Sequence, residues 1–121
     1  MFIYNFNIQQ ESKTKIIAQE ISKICKKGDI LAVSGDMGAG KTTFIRYFIK
    51  KISKAKSVPS PSYNIILPYE SKHSIIYHMD AWRLKSHDEA MSLGITEIFD
   101  DGIFLIEWAE KIKVILPNNC L

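Results

Sequence analysis

The chain is poor in the residues from which covalently stapled or membrane-borne folds are built. Its 121 residues include two cysteines, Cys25 and Cys120. They form neither a metal-ligand nor a redox spacing, which excludes a disulfide framework and a thiolate metal site. No apolar stretch approaches the roughly 18 residues that cross a bilayer. The start, Met1-Phe2-Ile3-Tyr4, lacks the basic segment and long apolar core of a secretion signal. A cytoplasmic protein with no membrane partner is therefore expected. Repeats, low-complexity blocks and Pro/Ser linkers are missing, so residues 1–121 are expected to form a single domain. Arginine is scarce as well: Arg46 and Arg83 stand against fourteen lysines.

What is present is concentrated. Three of the six glycines fall in Gly35-Asp36-Met37-Gly38-Ala39-Gly40-Lys41-Thr42, a complete G-x-x-x-x-G-K-T phosphate loop. The apolar run Ile30–Ser34 precedes it and the helix-like run Thr43–Ile49 follows it, the strand–loop–helix context the motif needs. The glycines let successive backbone N–H groups converge on one anion. The new helix adds its free N–H groups and positive dipole end. Lys41 can reach outer phosphates and Thr42 can offer a hydroxyl to Mg²⁺. A glycine-rich helix cap is the plain alternative.

Charge is divided unevenly. Residues 1–60 carry eleven Lys or Arg against four acids, and residues 61–121 carry five against nine, giving +7 and −4 within a net +3. The run Lys50-Lys51-Ile52-Ser53-Lys54-Ala55-Lys56 admits two readings. One is a nucleic-acid patch. The other is a solvated helix end whose cations favour the dipole. No aromatic residues interleave to provide a stacking platform.

The hydrophobic pattern predicts a first strand over 3–8 and a helix from Lys13 to about Lys27. Ser12 would cap that helix, Ile17, Ile21, Ile24 and Cys25 would share its inner face, and Gly28 would stop it. The helix after the loop should run to about Lys51, with Phe44, Phe48, Ile49 and Ile52 inward. Pro59 and Pro61 make residues 57–63 a rigid loop. Residues 64–69 and 74–79 read as a hairpin, with Pro68 marking its first arm as an edge. Ser86-His87-Asp88-Glu89 starts a short helix ending near Gly94, and Ile103–Ile106 is a second buried strand. The expected fold is α/β, a phosphate-loop NTPase-like sandwich whose mixed, partly parallel sheet is flanked by helices.

Hydrolysis of a nucleotide needs a metal and a positioned water. Asp80 and Glu107 each end an apolar strand, and ligands collect outside the carboxyl ends of parallel strands. Glu107 fits a Walker B metal ligand best. For either acid the alternative is a strand-ending carboxylate that meets solvent. Ser60 and Ser62 offer hydroxyls from the proline-set loop, where nucleotide switches sense phosphate and metal. His78 reads as a partly buried structural histidine. Trp82 and Trp108 could stack on a ligand or fill core.

Four segments in order then carry a resemblance. They are Gly35–Phe44, Val58–Tyr63, Tyr77-His78-Met79-Asp80-Ala81-Trp82-Arg83-Leu84 and Ile106-Glu107-Trp108-Ala109-Glu110. Together they resemble the TsaE (YjeE) family of small bacterial ATPases over nearly the whole chain. The resemblance implies a subunit that binds ATP and Mg²⁺ and hydrolyses ATP weakly alone. It would act with TsaB and TsaD in making N6-threonylcarbamoyladenosine in tRNAs that read ANN codons, and meet tRNA indirectly through that complex. It implies that Gly38, Ala39, Gly40, Lys41, Thr42 and Thr43 hold the phosphates. Thr42 and Glu107 would be metal ligands, and Asp80 would orient water or complete the metal shell. Residues 60–63, with Ser60 and Ser62, would be the switch, Trp108 would lie beside the nucleotide, and Glu11 would touch the base. Ser62 stands where the family usually has Thr, Trp82 where it has Tyr and Ala109 where it has Pro. Family members run on through further strands beyond the position of Leu121, so the sheet is expected to lack those strands. Two other functions fit the loop alone: a nucleotide-dependent binding module without turnover, and a small-molecule kinase, against which the two arginines argue.

Overall fold

The computed structural model describes residues 11–33, 41–59, 61, 65–72, 74–82, 84 and 86–115, with backbone alone at 11, 12, 87, 90, 110, 111 and 113. The expected first strand over 3–8 and the phosphate-loop residues 35–40 lie outside the described residues. Four strands form one sheet in the order β1-β4-β3-β2. These are β1 (Ile30–Val33), β2 (Ile66–Glu70), β3 (Ile75–Asp80) and β4 (Gly102–Glu107). β1 and β3 both pair with β4 in parallel, and β2 pairs with β3 antiparallel as the expected hairpin. Pro68, which has no N–H to give, sits in edge strand β2. The sheet is mixed and helix-flanked, as the sequence led one to expect.

β4 is the axis of the molecule, buried at all six positions. Its register is fixed at its first residue. A Cβ on Gly102 would lie 2.2 Å from the Ile75 carbonyl oxygen and 2.9 Å from the Tyr77 ring, so only glycine lets β3 and β4 approach there. Period-two alternation then sorts the side chains. Ile103 and Leu105, with Leu31 and Ile76, join Ile45, Phe48 and Ile49 of α2 (Lys41–Ile52) and Ala18 of α1 (Glu11–Ile24). On the opposite face Phe104 and Ile106, with Ile30 and Met79, meet Leu84, Ile95, Phe99 and Ile112. That layer is built from α3 (His87–Ser92), α4 (Ile95–Ile98), a 3-10 turn at Phe99–Asp101 and a 3-10 segment at Ala109–Ile115, kinked at Ile112.

α1 departs from expectation in three ways. It is helical from Glu11, so Ser12 lies inside it rather than capping it. It ends at Ile24 rather than near Lys27, because residues 26–29 form a turn. There Asp29 N donates to Lys26 O, Asp29 Oδ2 accepts from Lys26 N, and Gly28 takes φ 98. Finally, Ile24 is 75% exposed. The buried stripe runs through the small residues Ala18 and Ser22, which let α1 lie close to α2, and 100° per residue turns Ile24 away from that stripe.

Candidate functional site

The parallel register brings the carboxyl ends of three strands together: Val33 pairs with Glu107, and Glu107 with Asp80. The two acids singled out in the sequence are therefore neighbours on adjacent strands and on the α2 face. α2 begins at Lys41 immediately above them. Thr42 Oγ1 donates to Glu107 Oε1 at 2.6 Å, joining residues 65 apart in sequence. Glu107 is 3% exposed, a costly place for a carboxylate without partners. Burial alone would raise its pKa. Hydrogen bonds from His78 and Thr42, with the nearby Lys41 ammonium, outweigh burial and hold it below its ordinary value.

Lys41 is 8% exposed, and its Nζ lies 4.0 Å from the centroid of the Trp108 ring, within cation–π range. Trp108 packs in turn against the half-exposed Trp82, ring centroids 4.5 Å apart. Trp108 holds its position by left-handed backbone, φ 56. Among the described residues the other non-glycine residue of that kind is Ile65, φ 64, whose carbonyl accepts from Asp80 N at 2.8 Å. Such conformations cost about 1–3 kcal/mol each, and both abut the strand ends that carry Asp80 and Glu107.

The remaining site residues divide clearly. Asp80 Oδ1 accepts from Trp82 N at 2.9 Å, an Asx turn that fixes the carboxylate at the strand end. Thr43 is half-buried in the first turn of α2. Gly38, Ala39, Gly40, Ser60, Ser62 and the Glu11 side chain lie outside the described residues. The loop carrying Ser60 and Ser62 is anchored on both sides. Val58 is buried and its carbonyl accepts from Arg46 Nε at 2.9 Å, and Pro61 is buried with its carbonyl accepting from Ile65 N at 2.7 Å. His78, expected to be partly buried and structural, is wholly buried, with Nε2 2.8 Å from Glu107 Oε2. The signal was its spacing: two residues before Asp80 on a strand, it shares that residue's face.

Thr42 and Glu107 are hard oxygen donors suited to Mg²⁺. Among the described residues, no group of three or more His, Cys, Asp or Glu side chains could hold a metal unaided. Among the described residues, too, no helix is long and apolar enough to cross a membrane.

A mixed sheet with a helix-borne Lys-Thr pair facing an acid at the end of its central strand defines an NTPase-like α/β protein. The family profile described as threonylcarbamoyl adenosine biosynthesis protein TsaE matches residues 8–121. The chain belongs to the TsaE family. The tRNA threonylcarbamoyladenosine biosynthesis protein TsaE of Rickettsia bellii is 39% identical over 112 residues, covering 92% of this chain and 78% of that protein. The Bacillus subtilis protein of that name is 40% identical over 110 residues, 90% of this chain and 68% of its own length. The chain covers 63% of the Rickettsia conorii protein. The crystal structure of Bacillus subtilis YdiB superposes with a TM-score of 0.70 at 33% identity, covering 91% of this chain and 67% of that one.

Proposed function

We propose that this chain binds ATP with Mg²⁺ and hydrolyses it slowly, in service of the TsaB–TsaD complex that places threonylcarbamoyl on tRNA adenosine. The TsaE names of its relatives support the pathway. The observation that carries the nucleotide chemistry is the 2.6 Å contact between Thr42 Oγ1 and Glu107 Oε1. It seats a hydroxyl and a carboxylate together at the start of the helix that follows a G-x-x-x-x-G-K-T sequence. When bound, Mg²⁺ supplies charge neutralisation to the β- and γ-phosphate oxygens.

The chain's own residues do the rest. Lys41, the last residue of the loop motif but one, turns from the Trp108 face to the phosphates. Thr42 and Glu107 would hold the cation, the hydroxyl and the carboxylate each offering it a hard oxygen. Asp80, on the strand beside Glu107, orients a water for attack on the γ-phosphate. Residues 60–63 report the phosphate through the serine hydroxyls. Calorimetry of the purified protein with Mg-ATP is expected to show binding that Lys41→Ala and Thr42→Ala each remove. Full binding by both variants would defeat the proposal. Release of phosphate, faster with TsaB and TsaD present, is the further expectation. Binding without any release would reduce the protein to a nucleotide-gated module.

A further inference from the structure

Beneath the Thr42–Glu107 contact lies a group that no nucleotide could reach. His78 is 0% exposed, on β3 two residues before Asp80 and on the same face, and its Nε2 stands 2.8 Å from Glu107 Oε2. A carboxylate only accepts, so the hydrogen of this contact sits on Nε2. The two oxygens of Glu107 thus have separate duties: Oε2 is held by His78 and Oε1 is turned to Thr42. The other ring nitrogen, Nδ1, is buried with no hydrogen-bond partner among the described residues. An imidazole with one nitrogen unsatisfied is poorer core material than leucine or methionine of similar volume. Packing therefore does not explain why a histidine stands there; the Nε2 contact does.

We propose that His78 is a positioning residue for the metal-binding carboxylate. Its Nε2–H fixes the torsion of Glu107 so that Oε1 alone points into the site. This rests on the reading of Thr42 and Glu107 as Mg²⁺ ligands. Hydrogen bonds behind a ligating group commonly set its orientation, and losing one costs about 10–100-fold in metal affinity.

The test titrates Mg²⁺ into the full chain in the presence of a fluorescent, non-hydrolysable ATP analogue, for the native protein, His78→Met and His78→Gln. Methionine fills the volume without a donor. Glutamine places an amide nitrogen at nearly the reach of Nε2. His78→Met is expected to raise the Mg²⁺ midpoint by about 10–100-fold. Its analogue affinity in EDTA should stay near native, although its urea midpoint should fall, because the buried Glu107 Oε2 loses its donor. His78→Gln is expected to restore the Mg²⁺ midpoint toward native. A native Mg²⁺ midpoint in His78→Met, or a glutamine variant as weak as the methionine one, overturns the proposal. Should His78→Met fail to fold, His78→Asn replaces it, since its amide stops short of Glu107. In the ligand-free protein, nitrogen-15 spectra are expected to show the hydrogen of His78 on Nε2, and finding it on Nδ1 alone would overturn the proposal equally. If native protein binds the analogue with no Mg²⁺ dependence, the reading of Thr42 and Glu107 fails first.

Discussion

Toward α3 and α4 the sheet presents Ile30, Met79, Phe104 and Ile106 to a wholly apolar buried cluster. Toward α1 and α2 it presents His78 and Glu107, and the covering helices add Ser22 and Lys41; these four are the buried polar residues among those described. An unsatisfied buried polar group costs about 1–3 kcal/mol, so such groups persist where chemistry needs them. Both faces bury apolar clusters that supply stability. The second gives up some of it, chiefly at the strand ends, to hold a carboxylate, a hydroxyl and an ammonium in fixed relation.

The largest expected effect breaks the apolar face. Phe104 is wholly buried, stacked on Tyr77 at 4.7 Å and edge-on to Phe99 at 5.0 Å. Phe104→Ala should cost about 3–5 kcal/mol in urea unfolding. A loss below about 1 kcal/mol would mean that this face does not carry the fold. Next comes the seam between faces: Gly102→Ala drives a methyl into the Ile75 carbonyl and should cost about 1–3 kcal/mol by the same measurement.

The polar face is sharpened by pH. The folded-state pKa of Glu107 lies below its ordinary value of 4.5. The stability it contributes is therefore complete above that pH and lost as pH falls below it. Glu107→Gln should flatten the decline of the urea midpoint below pH 4.5, and an unchanged acid limb would show that Glu107 is not held as described. The smallest effect is expected outside both faces. Lys50 and Lys51 border an open groove of about 430 Å³ with Lys15, Gln19 and Tyr47. Changing both to serine should move stability by no more than about 0.5 kcal/mol and leave analogue binding unaltered.

The same contrast governs what could be read from sequence. Strand β4 was legible because an unbroken apolar run between a turn and an acid means a central strand. The hairpin and α2 were legible from local pattern. The meeting of Lys41 and Thr42 with Glu107 was legible because a phosphate-loop helix and a strand-ending acid gather at the carboxyl edge of a parallel sheet. The pairing of β3 with β4 was not, since strand order is set by contacts remote in sequence. The His78–Glu107 bond was hidden with it, being diagonal across that register. Ile24 was misread because α1 packs through small residues, Ala18 and Ser22, that carry little hydrophobic signal. The left-handed backbone at Ile65 and Trp108 has no signature in residue type, since β-branched and aromatic side chains ordinarily avoid it.

Thr42 and Glu107 are proposed to receive the nucleotide's divalent cation together. Crystals grown with Mn²⁺ and a non-hydrolysable ATP analogue test it through the anomalous signal of the metal. The expected result is one peak within coordination distance of Thr42 Oγ1 and of Glu107 Oε1 or a water bound to it, their mutual hydrogen bond broken. A manganese peak elsewhere, with the 2.6 Å contact intact, would show that these two residues do not receive the cation.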